Sequence, residues 1–529
     1  MKNLKVKIIF FSGLILLMSC SKDFLTEEPK DALFANTLFN TRDGLQQGLV
    51  AVYSLARRER TETIASFETG SAWKAGTDVA WGNYTFNSLR TFDEYGANMT
   101  SSSDGVNTIW NWLYDVVNAS NTIITRAESP EIDFQGANES ENLANKNLLV
   151  AQARLLRAWA YRHLTYSWGD VPLSTTEIDG DNFKTYFERV DVNIVRQQME
   201  EDLLFAEEHL PDDYNDPLIL SSAVAQHYLA ELYLTMGDFQ KAEQKAEAAI
   251  ENPNFSLITS RFGSTANLPG VPFMDQFQRG NGLPSSGNTE TLWTLLNAPD
   301  LPGTAEIAMR RTWVNRYYNI TVDDEWAFNQ YGGRGIGRMA HTLYVEDLYE
   351  DEDDRYSKYA ISKFYLKQEG GDTLFTKTPT FSAWKKSDPF FPATKKWDYV
   401  EPERPTNAGQ YNNMVYLRLA ETYLLAAEAE LGLGKTQEAA DHINALRERA
   451  NATPITAGDV DIELILDERA MELLSEEHRR YTLARLGLLI SRTQEFNKFS
   501  AIEEKNKLWP IPQDFIDSNE GPTEQNPGY

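Results

Sequence analysis

The chain has 529 residues, with 78 acidic against 50 basic side chains and a formal net charge of −28. That balance excludes a nucleic-acid partner, because polyanion binding needs a basic surface that displaces counterions, and no Lys/Arg-rich stretch is present. A single cysteine excludes an internal disulfide framework, and no segment past the N-terminus offers 18 uninterrupted apolar residues for a membrane-spanning helix.

Lys2, Lys5 and Lys7 precede an apolar run from Ile8 to Met18 that is broken only by Ser12 and Gly13. A helix needs roughly 20 apolar residues to cross a bilayer, whereas a charged start followed by about 7–15 apolar residues is a secretory signal. Residues 1–19 therefore read as a leader. The run ends Leu17-Met18-Ser19-Cys20, which resembles a bacterial lipobox, so Cys20 is the expected acylation site and new N-terminus. Several acyl chains would anchor the protein stably, which one chain does not. Removing the three leader lysines leaves 78 acids against 47 bases, or −31. Such a chain repels anionic surfaces, so membrane contact is expected through the lipid alone.

The mature chain opens with a polar lead. A helical pattern then starts near Thr41-Arg42-Asp43, with Leu45, Leu49, Val52, Tyr53 and Leu55 at helical spacing. A second runs from Val106 to Thr125 through Ile109, Trp110, Leu113, Val116, Val117 and Ile123. Between them, residues 60–104 are rich in Thr, Ser, Gly, Asn and aromatics and predict a long ordered loop region, which in a compact domain is usually functional. Leu148 to Trp168 carries the strongest helical periodicity and is stopped by Gly169-Asp170-Val171-Pro172. Another helix is expected from Val192 to Leu210, ending at Pro211.

Leu229, Ala230, Tyr233, Gly237, Phe239, Ala242, Ala246, Ala249 and Pro253 fall close to the positions of a tetratricopeptide repeat, a pair of antiparallel helices brought close by small residues. Met414 to Ala450 is a weaker copy, read as a diverged helical hairpin, and Ile462 to Leu489 adds a further helical pair. Repeats of this kind cannot bury their faces alone, so the two blocks are expected to pack together. The fold class is thus mainly α: a TPR-like helical-repeat scaffold with an irregular, loop-rich lobe at 254–410 containing a few short strands such as Glu290 to Leu296. The chain divides into the leader 1–19, an N-terminal part 20–253 and a C-terminal part 254–529, intertwined in one domain.

Several of these segments carry a family resemblance. Ala153-Arg154-Leu155-Leu156-Arg157-Ala158, closing on Trp168-Gly169-Asp170-Val171-Pro172-Leu173, resembles the "EARFLRAxxY…YGDVPL" stretch of the SusD/RagB lipoproteins. Met414 to Glu430 is similar to that family's "LRLAExYLLxAEA" helix. Glu468-Arg469 through Glu472, Glu477-His478-Arg479-Arg480 and Leu483 to Gly487 resemble its "ERxxELxxEGxRxxDLxRWG" helix pair, with Glu477 and Thr482 departing from the pattern in what reads as helical scaffold. Pro510-Ile511-Pro512 and Gln525-Asn526-Pro527-Gly528-Tyr529 are similar to its closing motif. The resemblance implies a non-catalytic nutrient binder on the outer face of the cell outer membrane. It also implies a TonB-dependent (SusC-like) transporter as partner, with an oligosaccharide, or in some members a peptide, held between the two.

Site residues follow from the residue types in the irregular regions. Trp and Tyr offer broad, rigid apolar faces for sugar C–H surfaces at low entropic cost. Trp73, Trp81 and Tyr84 in the first region and Trp313, Tyr317, Tyr318, Trp326 and Tyr331 in the second are the candidate rings, with Asp78, Asn83, Asn315, Arg316 and Asn329 suited to hydroxyls. Trp110, Trp112, Trp159 and Trp168 lie on helical patterns and are expected in the core.

Enzyme readings find little in the sequence. None of the six histidines forms HExxH or sits at a metal-triad spacing, and no cofactor is expected. Gly332 to Gly337 lacks the P-loop Lys-Ser/Thr and reads as a flexible loop; Glu346 to Asp354 lacks the EF-hand spacing and reads as a solvated acidic helix end. A surface glycan hydrolase and a protein-only helical adaptor remain the rival classes. The anchoring expectation is tested with Cys20→Ala, which should leave an unprocessed or soluble protein absent from the outer-membrane fraction; a variant still anchored and surface-labelled overturns it.

Overall fold

The computed structural model describes residues 38–529, apart from 62, 65–66, 84–86, 181, 302–303, 308, 320, 372, 376–390, 400 and 408. The leader, Cys20 and Tyr84 lie outside the described residues.

The scaffold is a series of packed helices whose ends are set by local chemistry. Helix α1 (Arg42–Thr61) buries Leu45, Leu49, Val52 and Ala56, and after a short strand β1 (Ala80–Gly82) helix α2 (Asp104–Arg126) follows. Helix α3 (Glu139–Trp168) begins about two and a half turns earlier than the apolar periodicity from Leu148 suggests, because the Asn138 side chain accepts from Glu141 N and caps it. Gly169, at φ 74°, ends it in a conformation that L-residues avoid. Asp170 then accepts from Val192 N at the start of α4 (Val192–His209), so one tetrapeptide both stops a helix and starts the next. Helices α5 (Ser222–Met236) and α6 (Phe239–Ile250) form the hairpin expected from the repeat, turning at left-handed Gly237 and capped by Asp238; Ala242, Ala246 and Ala249 are buried where α6 meets its neighbours.

The chain then enters the irregular lobe, with β2 (Thr291–Leu295), α7 (Met309–Trp313), α8 (Asp324–Tyr331), β3 (Met339–His341) and β4 (Phe364–Leu366). It returns through β5 (Met414–Arg418) to α9 (Leu419–Gly432), α10 (Thr436–Arg449), α11 (Ile462–Glu472), α12 (Arg479–Arg485) and α13 (Leu489–Phe496). Helix α9 packs on both α6 and α10, so the two hairpin blocks do join. One hydrophobic cluster contains residues from Leu45 to Ile511. The closing motif is explained by its own bonds. Gln525 both accepts from Ile511 N and donates to Ile511 O, Asn526 donates to the carbonyls of Trp168 and Trp509, and the Tyr529 hydroxyl accepts from Asn506.

Four local expectations are corrected. Met414 to Arg418 is a strand, antiparallel to β2 with Met414 opposite Leu295 and Arg418 opposite Thr291, and the helix starts only at Leu419. A fully buried strand shows no alternation, so its partner decided the outcome. Gly332 to Gly337 is packed rather than flexible: the Gly332 and Gly333 carbonyls accept from Tyr317 and Arg310, and a Cβ at Gly333 or Gly335 would lie 2.1–2.3 Å from a backbone oxygen. The acidic run is only partly solvated. Glu346 accepts from Tyr356 and pairs with His341, Asp353 holds Arg355, and Glu350 holds Arg447, leaving Asp351 and Glu352 exposed. Glu477 lies in the turn between α11 and α12, not within a helix, and its carboxylate pairs with Arg469 and accepts from Thr482.

What fastens the irregular lobe to the helices is a buried ion-pair network. Glu472 on α11 meets Arg449 of α10 at 2.5 Å, Arg418 of β5 at 2.9 Å and Arg355 at 3.2 Å. Glu468 takes Arg355 and Arg447, Glu476 takes Arg418 and Lys396, Glu290 takes Arg418 and Arg449, and Asp353 takes Arg355. Five buried carboxylates (Glu290, Asp353, Glu468, Glu472, Glu476) thus face five cations (Lys396, Arg355, Arg418, Arg447, Arg449), so the interior carries no net charge from this set. Burial alone would raise Glu472, but Arg449, Arg418 and Arg355 outweigh it and hold its carboxyl well below the ordinary value.

A second buried network joins α1, α3 and the α11–α12 turn. His478 Nε2 faces Glu59 at 2.9 Å, His163 Nδ1 meets the Tyr481 hydroxyl at 2.6 Å, and the Tyr416 hydroxyl donates to Glu59. An arginine can only donate, so the Arg162 guanidinium 3.3 Å from His478 Nδ1 places the imidazole proton on Nε2, toward Glu59. With Arg60 also on Glu59, this cluster is a hydrogen-bond network hostile to a dication. Burial lowers His478 to about 4 and His227 to about 3, and it also lowers His163.

Two outcomes are expected. Removing one partner of a buried pair strands the others, at about 3–5 kcal/mol. Glu472→Gln should therefore lower the unfolding free energy in urea by that order, whereas Glu504→Gln, at the exposed pair with Lys507, should change it by roughly 0–1 kcal/mol; equal effects would refute the network's role. The second concerns pH. Buried His163, His227 and His478 have folded pKa values below their ordinary 6.5, and Glu477, pulled by Arg469 and Arg479 against burial, sits at about 2. The unfolded chain therefore binds these protons more tightly, so stability is full above about pH 6.5 and falls as pH drops through the histidine window and then the carboxylate window. The urea midpoint should be lower at pH 5 than at pH 7.5, and lower again at pH 4; a midpoint flat across this range contradicts the assignment.

Candidate functional site

Strand pairing brings the two irregular regions together: β1 runs antiparallel to β3, with Trp81 opposite Ala340, and Asn83 N donates to Arg338 O. The meeting point is interior, and four of the candidate rings expected on loop surfaces are buried, in three separate clusters. Trp73 is fully buried, stacked on Trp509 with ring centroids 6.0 Å apart, and its indole N–H donates to Ser167. Trp81 and Trp313 are each 2% exposed; Trp81 packs with Ala340, Phe391 and Ala393, and Trp313 belongs to the main core. Tyr317 is buried, stacked on Tyr365, and its hydroxyl donates to Gly333 O.

The polar candidates are occupied in the same way. Asp78 is gripped by Arg479 and Arg492, Asn83 donates to Gly337 O, and Asn315 donates to Phe391 O, all three fully buried. Each is thus engaged by protein partners in the interior and not by solvent. The physical reason is pairing that lies outside the sequence window: each residue meets a partner contributed by a distant segment.

Trp326 and Tyr331 are placed differently. Both are half-buried against one apolar cluster, Tyr331 on Tyr317 and Tyr365, and their rings meet at 84° with centroids 6.1 Å apart. They form an L-shaped corner with a solvent side. Helix α8 positions it: Asp323 accepts from Glu325 N and Trp326 N, fixing the first turn, and the chain leaves at Gly332 with φ 73°. Tyr331 is held at its far end, where its hydroxyl accepts from Leu366 N on β4. Half-buried Tyr318 packs on the same cluster, with the Arg334 guanidinium 5.5 Å from its ring centroid.

Asn329 and Gln330, three and four residues past Trp326, share its helical face and are exposed, as is Arg334. The corner thus combines two ring faces with amide and guanidinium donors, which is the equipment for stacking on a sugar and bonding its hydroxyls. Among these exposed groups no histidine or cysteine is present, and Asp323 is committed to capping, so the donor set suits a neutral polar ligand rather than a metal. Gln330 and Arg334 were not singled out by the sequence; their spacing from Trp326 and Tyr331 was the available signal, but it means something only once α8 is known to be a helix.

Comparison with known proteins places this geometry. A family model described as "SusD family" matches residues 275–529, and one described as "Starch-binding associating with outer membrane" matches residues 23–234. SusD-like protein P2 of Formosa agariphila is 27% identical over 99% of this chain and 100% of its own length. A SusD-like protein of Bacteroides ovatus is 24% identical over 89% of this chain and 80% of its own. Among solved structures, a laminarin-binding SusD-like protein is 22% identical at a TM-score of 0.70, covering 92% of this chain and 99% of that one. Surface glycan-binding protein A of Bacteroides thetaiotaomicron, in complex with laminarihexaose, is 18% identical at a TM-score of 0.70 over 92% of this chain and 99% of that one. The helical-repeat scaffold with its irregular lobe is the fold these structures share, and with two models of one family spanning both halves of the sequence, the chain belongs to the SusD/RagB family.

Proposed function

We propose that the protein is a non-catalytic binder of neutral oligosaccharide on the outer face of the outer membrane, anchored through a lipid on Cys20. It would pass its ligand to a TonB-dependent, SusC-like transporter. The observation that carries the binding reading is the Trp326–Tyr331 corner, two half-buried rings at 84° to each other with exposed Asn329, Gln330 and Arg334 close by in the chain. A net charge of −28 disfavours polyanionic glycans at a distance, which is why a neutral ligand is favoured. The outer-membrane association and starch binding in the family description, and the glycans named for the structural relatives, support the same reading.

Surface capture needs an affinity that concentrates nutrient yet releases it, about micromolar to millimolar, or roughly −8 to −4 kcal/mol. Two stacked rings and a few hydroxyl contacts are of the right order after association costs. The test is calorimetric titration of the purified protein with laminarihexaose, other neutral oligosaccharides and short peptides, followed by chromatography of the sugar. Wild type should bind at least one oligosaccharide and return it intact. Trp326→Ala or Tyr331→Ala should weaken binding at least tenfold with the thermal unfolding curve near wild type. Undiminished binding by both variants would move the site elsewhere, a shortened sugar would overturn the non-catalytic reading, and binding confined to peptides would replace the ligand class.

A further inference from the structure

Where the two helical hairpin blocks touch, three metal-ligating side chains from three helices converge. His442 on α10 has Nδ1 2.9 Å from Glu430 Oε2 on α9 and Nε2 3.4 Å from Glu247 Oε1 on α6. One donor atom from each lies within 4.8 Å of the other two. We propose that these residues form a binding site for a first-row divalent metal ion such as Zn2+, cross-linking the N-terminal hairpin to the C-terminal one.

Geometry supports this first. A four-coordinate ion with metal–ligand distances of about 2.0–2.2 Å holds its donors roughly 3.3–3.6 Å apart; with one imidazole nitrogen as donor, one atom from each residue lies within 4.8 Å of the other two, so side-chain shifts of about 1 Å close the site. The donors sit on rigid helices. Glu430 is 2% exposed and fixed, His442 is 16% exposed with its ring edge-on to Tyr423, and Glu247, at 31%, leaves a route for the ion and room for water as a further ligand. One imidazole with two carboxylates is a donor set that suits zinc and its first-row neighbours more than calcium or magnesium, which take oxygen alone.

The surroundings support it second. Glu430 lies close enough to Glu247 to share a hydrogen bond with it, and Glu251 adds to the negative field there. Asp441 and Glu438 are exposed nearby on α10, while Lys435 is engaged by Glu243 at 2.6 Å. Two carboxylates this close repel unless something positive lies between them. A protonated His442 could fill that role by itself, and the two readings differ in whether a metal adds anything.

The experiment uses the purified protein, stripped with chelator and dialysed, titrated with ZnCl2 calorimetrically and with CoCl2 by visible absorption. The expected result is one equivalent of tightly bound Zn2+, a rise in the thermal midpoint with Zn2+, and a cobalt d–d spectrum of nitrogen–oxygen ligation. His442→Gln and Glu430→Gln should weaken Zn2+ at least tenfold and abolish the cobalt spectrum. Glu247→Gln, at the half-exposed ligand, supplies a variant least prone to disturb the fold and should weaken binding in the same direction. Absence of saturable Zn2+ binding, or binding that Glu247→Gln and His442→Gln leave unchanged, overturns the site in favour of the protonated-imidazole bridge or of adventitious carboxylates. Oligosaccharide binding at the distant corner is a separate readout, so failure here leaves that proposal standing.

Discussion

The constraint on which the rest of the molecule depends is the need to neutralise Glu472. A carboxylate so far from water is tolerable only with cations at hydrogen-bond distance, and its three come from different parts of the chain: Arg449 from α10, Arg418 from β5 and Arg355 from the irregular lobe. Each of those arginines is shared with another acid, so none can settle without the others. The irregular lobe has little regular hydrogen bonding of its own, with its strands in two-stranded pairs. Charge pairing to the helices supplies the positional definition that longer sheets would give. Two of the motifs by which the chain resembles its family supply parts of this network: the glutamates of α11 and the arginine that closes β5.

This division of labour explains where binding chemistry can sit. Rings that meet between the two irregular regions are consumed in holding those regions together, so Trp81 and Trp313 define shape rather than present a surface. Helix α8 buries Ala327 and Phe328, and its Trp326 and Tyr331 stay half-buried. If α8 carries the proposed site, ligand preference would change with a few residues around it while the buried charges and the core stay fixed, as expected of a scaffold whose function lives in grafted sites.

The helices were legible because their apolar spacing, caps and stop residues are local signals; Trp168-Gly169-Asp170 ends a helix within reach of a short window. The strand at Met414 was not, since a fully buried strand loses its alternation and only its pairing with Thr291–Leu295 distinguishes it from a helical start. Site residues were legible by type but not by exposure. Trp313 and Trp326 look alike in the sequence, and only the lobe's packing buries one and leaves the other half-exposed. The His442 cluster had no local spacing to betray it, because one of its glutamates is in a different half of the chain.

The topology of the charge pairs also sets an order of events during synthesis and export. Glu59 waits for His478, Asp78 for Arg479 and Arg492, and the end of α3 for Asn526, each separated by more than three hundred residues. Contacts closed over such distances form late and slowly, so an emerging N-terminal half holds acids and tryptophans whose partners do not yet exist. Maturation is therefore all-or-none: the chain must be kept from collapsing or aggregating until its last sixty residues arrive. A product cut short before α11 lacks Glu472, His478 and Arg479, so Arg449, Glu59 and Asp78 are left without these partners.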